Sequence, residues 1–231
     1  MNYGRTSLRR RAKQLDARGT RIRHKIGVIL GKLLLIGIIV GGCAAVSFGV
    51  GAFKGILASA PDISEVDVIP TGYSTKVLAA DGSETAKLVA AGSNRQYVTI
   101  DQIPENLQHA VVAIEDERFY DHNGIDLKGI VRALVADVRT RDFSQGASTL
   151  TQQLIKNNVL SEQWANENDS NISKIEKMER QVQRKIQEQY LAIELEKKVN
   201  DKNWILENYL NTINLGSGCY GVQTAAQTYF G

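Results

Sequence analysis

Cysteine and proline are scarce in this sequence of 231 residues, which contains two cysteines and three prolines. Cys43 and Cys219 lie far apart along the chain, so they provide neither a disulfide framework nor the ligand spacing of a zinc site. Both are expected to be small buried residues. The prolines occur at positions 61, 70 and 104, and beyond Pro104 the apolar pattern is helical.

Charge is absent between Leu33 and Phe53, a run of 21 residues. A helix of this length spans roughly 32 Å, and the hydrocarbon core of a bilayer is about 30 Å thick. We therefore expect residues 33–53 to form an uncleaved membrane anchor. A cleaved signal peptide is the alternative, although its apolar core would be shorter.

Acidic residues are almost absent from the segment that precedes this run. Residues 1–32 contain ten Lys or Arg and one acid, Asp16, whereas the rest of the chain has 18 basic and 24 acidic residues. The net charge of +3 thus combines +9 in the tail with −6 elsewhere, and it gives no reason to expect a nucleic-acid partner. The positive-inside rule predicts a single-pass protein of the cell membrane, with residues 1–32 cytoplasmic and the chain after Lys54 extracytoplasmic.

The chain after the anchor divides into a stalk at 54–74 and a domain at 75–231. Asp81-Gly82, between two half-apolar runs, predicts a hairpin, and a short strand is expected around 96–98. Helices are predicted at 104–115, 126–139, from 148, at 172–199 and from 201. The predicted fold is therefore mainly α, with a small β entry segment.

Two carboxylates lie at the C-terminal end of the first of these helices, Glu115 and Asp116. The apolar positions of that helix share one face: Leu107, Ala110, Val111 and Ile114. A carboxylate beside buried surface and another acid is harder to ionise, which makes it a better base near neutral pH. The alternative is a solvated helix end in which Arg118 pairs with one of the acids.

A dense run of hydroxyl and amide side chains begins the third predicted helix: Ser148, Thr149, Thr151, Gln152 and Gln153. Ser148 alone could cap the helix, but a cap needs one hydroxyl rather than three hydroxyls and two amides. Sugars are bound through many such groups, so the run is a candidate sugar-binding surface. Lys156 lies three residues beyond Gln153, on the same helix face.

Two cations and one acid, Arg184, Lys185 and Glu188, lie close together on the long predicted helix. Such a cluster suits a pyrophosphate, with or without a divalent metal. The alternative is an exposed ion pair between Arg184 and Glu188, worth about 0.3–0.5 kcal/mol. His122 is a lone histidine, for which a structural hydrogen bond is expected.

Five blocks of residues, in this order, make the chain similar to the family 51 peptidoglycan glycosyltransferases, the transglycosylase module of class A penicillin-binding proteins. The blocks are Glu115-Asp116 with Phe119, His122 and Gly124; Gly146 with Ser148, Thr149, Thr151, Gln152 and Gln153; Arg184, Lys185 and Glu188; Lys202 with Ile205, Leu206, Glu207, Tyr209, Leu210 and Asn211; and Gly218, Gly221, Ala225, Ala226, Tyr229, Phe230 and Gly231. The resemblance covers about residues 75–231, with Ala147 where the family commonly has glycine. It implies a mainly helical, lysozyme-like fold.

The resemblance also implies a reaction and a role for each residue. The family polymerises lipid II into the glycan strands of peptidoglycan, by inverting transfer with undecaprenyl pyrophosphate as the leaving group. Glu115 would be the general base for the acceptor 4-hydroxyl, and Glu188 would assist at the pyrophosphate, directly or through a divalent metal, usually Mg²⁺. The implied substrate-binding residues are Asp116, Ser148, Thr149, Gln152, Gln153, Lys156, Arg184 and Lys185.

The partners expected from this resemblance are lipid II, the nascent glycan strand, membrane lipid and proteins of cell-wall synthesis or division. The sequence stops at Gly231, where family members continue with further helices, so a piece of a longer class A protein is expected. Two alternatives remain open. One is a lysozyme-like glycan hydrolase, which needs a carboxylic acid and often a second carboxylate. The other is a non-catalytic, membrane-anchored module that binds glycan precursors.

Overall fold

The computed structural model describes residues 5–64, 67–89, 94–140, 146–165 and 172–231. The chain divides into two structural units, Met1–Gly55 and Ile56–Gly231. The boundaries predicted after residues 32, 53 and 74 divide the chain more finely, and they stay predictions.

The first helix, α1, extends over Arg5–Ala58. Its segment Arg23–Ala58 is long and apolar enough to cross a membrane, with a mean hydropathy of 2.4 in its most apolar window. Large apolar side chains along this segment are exposed, among them Leu34 and Ile38. A helix that is apolar and exposed on all sides is suited to contact with lipid rather than with a protein core, which agrees with the predicted anchor.

A hairpin follows, in which β1 (Thr75–Leu78) and β2 (Glu84–Leu88) pair antiparallel with one irregularity of register near the turn. Gly82 in the turn has φ +84°, a conformation that glycine adopts without strain. The carboxylate of Asp81 accepts a hydrogen bond at 3.0 Å from the backbone N–H two residues further on. The hairpin predicted from Asp81-Gly82 is thus confirmed.

The strand predicted around 96–98 is wrong, because the described residues from 94 to 99 contain no strand. Val98 instead pairs with a side chain. Its N–H donates to Asn211 Oδ1 at 3.0 Å, and its carbonyl oxygen accepts from Asn211 Nδ2 at 2.8 Å. The amide of Asn211 thus takes the place of a neighbouring strand, since it offers an acceptor and a donor together.

The described domain beyond this point is helical, and the prediction of a mainly α fold with a small sheet is confirmed. A 3-10 turn at Ile100–Gln102 is followed by α2 (Glu105–Glu115), α3 (Leu127–Thr140), α4 (Leu150–Asn158), α5 (Lys174–Val199), α6 (Lys202–Leu210) and α7 (Val222–Phe230).

Side-chain caps define where several of these helices begin, α4 and α6 among them. Asp201 caps α6, as its carboxylate accepts from the backbone N–H groups of Asn203 at 2.9 Å and Trp204 at 3.2 Å. The cap of α4 is Thr149, whose hydroxyl oxygen accepts from the N–H of Gln152 at 3.2 Å. The alternative that Ser148 serves as this cap is therefore wrong, and Ser148 has other contacts.

The core lies where α4 packs against α5 and α6. Its most deeply buried apolar side chains are Phe119, Leu150, Leu154, Ile155, Leu160, Leu191, Leu195, Ile205, Leu206 and Leu210. Burying one leucine of this kind contributes roughly 1.5–3 kcal/mol. The packing fixes α4 against α5, and these two helices carry most of the predicted site residues.

The helices α2 and α3 do not bury the faces that their apolar patterns predict. In α2, Val112 is buried, whereas Ile114 is 81% exposed. The large apolar side chains that α3 exposes are Leu127, Val131, Leu134 and Val135. The pattern therefore locates these helices correctly but does not identify which side packs against the core.

Candidate active site

Glu115 is the last residue of α2 and lines a cavity, while the side chain of Asp116 turns inward. The helix ends because the backbone of Asp116 leaves the helical conformation, with φ −157° and ψ 70°. Glu115 is exposed, but Asp116 is only 6% exposed. The two carboxylates predicted together at this helix end therefore have different surroundings and different partners.

The buried carboxylate of Asp116 is held by internal hydrogen bonds. It accepts from the backbone N–H of Leu150 at 3.0 Å, and both of its oxygens lie 3.0 Å from Nε2 of His122. These contacts tie the segment after α2 to the first turn of α4, which fixes Glu115 relative to the polar run. The structural hydrogen bond predicted for His122 is confirmed.

The polar run at the start of α4 divides between the protein interior and the cavity. The hydroxyl of Thr149 donates to the carbonyl oxygen of Gly124 at 2.7 Å, and that of Thr151 donates to Glu196 at 2.5 Å. The members of the run that line the cavity are Ser148, Gln152 and Gln153. The threonines thus fix α4 in place, and Ser148, Gln152 and Gln153 form the polar wall of the cavity.

One turn of α5 brings Arg184, Lys185 and Glu188 to the same cavity. Glu188 is 2% exposed; Arg184 donates to its Oε1, and Lys185 Nζ donates to its Oε2 at 3.1 Å. A buried carboxylate needs such partners, because an unpaired charge in the interior costs several kcal/mol. The exposed ion pair considered from the sequence is therefore wrong, since Glu188 is buried between two cations.

Lys185 also connects α5 to the polar run of α4. Its Nζ donates to Ser148 Oγ at 2.6 Å and to Gln152 Oε1 at 3.0 Å. Because the ammonium group donates to Ser148, the hydroxyl proton of that serine can point toward a bound molecule. The cation cluster and the amide and hydroxyl groups therefore form one connected surface.

Most of the predicted site residues meet at a cavity of about 620 Å³, a size typical of ligand-binding clefts. Its lining residues are Ile114, Glu115, Gly146, Ser148, Gln152, Gln153, Lys156, Arg184, Lys185 and Glu188. Asp116 and Thr149 line a smaller neighbouring cavity of about 260 Å³ instead, and Glu115 and Ser148 belong to both. The substrate-binding roles predicted for Asp116 and Thr149 stay predictions.

Charge in the larger cavity is predominantly positive. Three cationic side chains and two carboxylates line it, and Glu188 already pairs with Arg184 and Lys185. Lys156 is exposed and makes no ion pair with any residue that the structure describes. The cavity can therefore hold an anionic group beside its cations while Glu115 remains at its wall.

Gln153 connects Glu115 to the core. Its Nε2 donates to Glu115 Oε2 at 2.9 Å, and its Oε1 accepts from the hydroxyl of Tyr209 at 3.1 Å. Tyr209 belongs to α6 and is 3% exposed; burial and, secondarily, the charge of Glu115 raise the pKa of its hydroxyl. Sequence reasoning did not give Tyr209 a role, because its place in an apolar helical pattern indicates only a core residue.

A second buried network was also missed. The carboxylate of Glu196 accepts from Thr151 and, at 2.6 Å, from Lys202 Nζ. Lys202 also donates to the carbonyl oxygen of His122 at 2.6 Å and lies 4.5 Å from the centre of the Phe119 ring. The network joins three helices to the segment that follows Glu115. Its only sequence signal was that Thr151, Lys202, His122 and Phe119 belong to the matching blocks, whereas Glu196 belongs to none of them.

The residues at this site do not form a metal site on their own. The described part of the chain has no group of three or more His, Cys, Asp or Glu side chains able to hold a metal ion. Glu188 is the predicted ligand, but both of its oxygens accept from cations. Mg²⁺ prefers a nearly complete shell of oxygen ligands, which the remaining amides and cations do not supply. The Mg²⁺ expected from the resemblance stays a prediction.

Comparison with known proteins places these residues within a family. Residues 81–231 match the family model described as Transglycosylase. The chain is 37% identical over 193 residues to penicillin-binding protein 1A of Clostridium tetani, a match that covers 82% of this chain and 22% of that protein. It is 40% identical over 182 residues to penicillin-binding protein 1A of Escherichia coli, covering 78% and 19%. It is 47% identical over 137 residues to penicillin-binding protein 1A of Aquifex aeolicus, covering 59% and 16%.

The matched region contains the five sequence blocks and every residue that lines the cavity. The chain spans about a fifth of the length of these relatives. Since the family model covers well over half of the chain, the sequence match establishes the family. The chain belongs to the transglycosylase family, the peptidoglycan glycosyltransferases that its five sequence blocks resemble.

Proposed function

We propose that this chain polymerises lipid II into the glycan strands of peptidoglycan, by inverting glycosyl transfer with undecaprenyl pyrophosphate as the leaving group. One observation carries the proposal: Glu115 lines the same cavity as Lys156, Arg184 and Lys185. A carboxylate base and a group of cations around one cleft are what this transfer requires, because a proton must be removed at one atom and negative charge develops at another.

In this reaction the carboxylate of Glu115 takes the proton of the acceptor 4-hydroxyl while that oxygen attacks the anomeric carbon of the donor. The bond between the anomeric carbon and the pyrophosphate oxygen breaks, and its electron pair leaves with the pyrophosphate. Attack on the face opposite the leaving group inverts the configuration. General-base catalysis of this kind contributes roughly 10²–10⁴-fold to the rate.

The negative charge of the leaving group explains why cationic side chains line the cleft. A pyrophosphate departs with its own negative charge, so Lys156, Arg184 and Lys185 stabilise it more effectively than a proton donor would. Glu188 holds Arg184 and Lys185 in place through its two ion pairs. A divalent metal would add positive charge at the pyrophosphate, with the phosphate oxygens as its main ligands.

The neutral polar groups suit the sugars. Ser148, Gln152 and Gln153 line the cleft and offer hydroxyl and amide groups. Two of them accept hydrogen bonds from Lys185, which holds their side chains in one orientation. We assign them to the donor side of the cleft, with Asp116 and Thr149 fixing the backbone that carries them.

The proposal includes a membrane setting, because the substrate carries a long lipid chain. Residues 33–53 would anchor the chain, residues 1–32 would form a cytoplasmic tail, and a stalk at 54–74 would connect the anchor to an extracytoplasmic domain at 75–231. The partners in this setting are lipid II, the nascent glycan strand, membrane lipid and other proteins of cell-wall synthesis or division.

The test uses the detergent-solubilised chain and labelled lipid II. Glu115→Gln keeps the shape of the side chain but removes its basicity, so the initial rate of polymer formation should fall by about 10²-fold or more. Glu105→Gln is the matched control, since Glu105 is an exposed acid at the start of the same helix. Near-normal polymerisation by Glu115→Gln would contradict the proposal.

A glycan hydrolase is the second candidate, and one observation favours it: two carboxylates, Glu115 and Glu188, line one cavity. The ion pairs of Glu188 count against it, because Arg184 and Lys185 already occupy both oxygens of this carboxylate. Shortening of finished glycan strands, without polymer from lipid II, would support the hydrolase. Binding of lipid II without turnover would support a precursor-binding module.

A further inference from the structure

Tyr209 carries a hydroxyl group into the core of the domain. Its ring belongs to the main apolar cluster, where phenylalanine would pack equally well. A buried phenol needs a hydrogen-bond partner, and the partner here is Gln153 Oε1 at 3.1 Å. The hydroxyl group therefore contributes a hydrogen bond to Gln153, which the apolar ring alone could not make.

The side-chain amide of Gln153 has an oxygen atom and an NH₂ group, and both of them make a hydrogen bond. If the amide were turned around, its oxygen would face the carboxylate of Glu115, and two negative atoms would lie in contact. The phenol of Tyr209 prevents this by donating to Oε1, which leaves Nε2 to donate to Glu115 at 2.9 Å. Burial raises the pKa of the Tyr209 hydroxyl, so it stays protonated and remains a donor.

We propose that Tyr209 is a positioning residue for glycosyl transfer, whose hydroxyl orients the amide of Gln153 so that Nε2 holds the Glu115 carboxylate in place as the base. This inference rests on the function proposed above. A carboxylate held at one position keeps its oxygens directed at the acceptor hydroxyl, whose proton it must take. The chain of two hydrogen bonds also connects the base to α6, a helix of the buried core.

The variant Tyr209→Phe removes the hydroxyl and keeps the ring. Gln153 then loses the donor that fixes its orientation, and Glu115 loses the hydrogen bond that holds its carboxylate in place. We expect kcat for lipid II polymerisation to fall between about threefold and tenfold, the range for one neutral hydrogen bond. KM should change less than kcat, because Tyr209 lies in the core and Gln153 is only one of the groups that line the cleft.

Tyr229→Phe is the matched control, since the Tyr229 hydroxyl also makes one hydrogen bond, to the carbonyl oxygen of Leu215 at 2.9 Å. It should leave kcat unchanged. In a Gln153→Leu background, Tyr209→Phe should have no further effect, because the residue through which it acts is gone. An equal loss in both backgrounds would overturn the inference.

A measurement that needs no turnover completes the test. The side-chain amide protons of Gln153, observed by NMR with ¹⁵N-labelled glutamine, should exchange with solvent faster in Tyr209→Phe than in the wild type or in Tyr229→Phe. Unchanged exchange together with an unchanged kcat would overturn the inference while leaving the proposed function intact. Full activity of Glu115→Gln would instead overturn the proposed function, so the two failures can be told apart.

Discussion

Replacing Lys202 by methionine removes a charge on which three parts of the domain depend. The Lys202 ammonium donates to Glu196 and to the carbonyl oxygen of His122, both at 2.6 Å, and it lies 4.5 Å from the centre of the Phe119 ring. Methionine keeps most of the apolar stem but none of the donors. In Lys202→Met, Glu196 therefore remains in the interior without its counter-ion.

The expected loss of stability is large because Glu196 has little access to water. Its side chain is 5% exposed, and that of Lys202 is 22% exposed. Removing one partner of a buried ion pair costs about 3–5 kcal/mol. Thr151 still donates one hydrogen bond to Glu196, so we expect the lower part of this range. The total stability of a domain is about 5–15 kcal/mol, and the change should therefore be easy to measure.

The assay is urea unfolding of the detergent-solubilised chain, followed by tryptophan fluorescence. Lys197→Met is the matched control, because Lys197 pairs with Glu194 at 2.8 Å while the two side chains are 64% and 33% exposed. An exposed pair of this kind is worth about 0–1 kcal/mol. Adding Glu196→Gln to Lys202→Met removes the stranded charge and should recover part of the loss.

Equal, small losses in Lys202→Met and Lys197→Met would refute the reasoning, because they would mean that burial does not strengthen the pair. If the double variant recovers no stability, the loss in Lys202→Met does not come from the unpaired charge of Glu196. The variant should also polymerise lipid II more slowly, since His122 and Phe119 belong to the segment that follows Glu115.

Three further predictions concern the backbone, the cation cluster and the metal. Gly124 has φ +89°, and a Cβ there would lie 2.6 Å from the backbone of Ala192, so Gly124→Ala should destabilise the domain by about 2–4 kcal/mol in urea unfolding. Gly82→Ala, with φ +84° but open space around it, should lose only about 1–2 kcal/mol, and an equal loss would show that the contact with Ala192 is unimportant. Glu188→Gln removes a charged partner of two cations, and the polymerisation rate should fall roughly 10- to 100-fold. The same assay, with Mg²⁺ added after chelation, tests the metal: a wild-type rate indifferent to Mg²⁺ would contradict the predicted metal role.

Local sequence patterns predicted the elements of this domain well. The turn at Asp81-Gly82 and the cap at Asp201 depend on the chemistry of a few adjacent residues, so both could be predicted without a structure. The prediction of a strand around 96–98 was wrong because the structure there depends on a distant residue. Its backbone pairs with Asn211, 113 residues away, and no local pattern can reveal such a partner.

The candidate site shows the same division between local and distant information. The residue types near Glu115, Gln153 and Glu188 indicated a base, sugar-binding groups and a pyrophosphate site. The sequence could not indicate that Glu115 and Asp116 point to different environments, because the direction of each side chain depends on how the helix end packs. It also could not indicate that Glu188 is buried between two cations.

The order and chemistry of the motifs, together with the apolar segment near the N-terminus, were enough to identify the family and a helix able to cross a membrane. These features are local, and a short stretch of chain carries each of them. The assembly of one cavity from α2, α4 and α5, and the link from Glu115 through Gln153 to Tyr209, became visible only in the folded domain. Long-range packing brings these residues within hydrogen-bonding distance, and that packing depends on the shapes of many side chains at once.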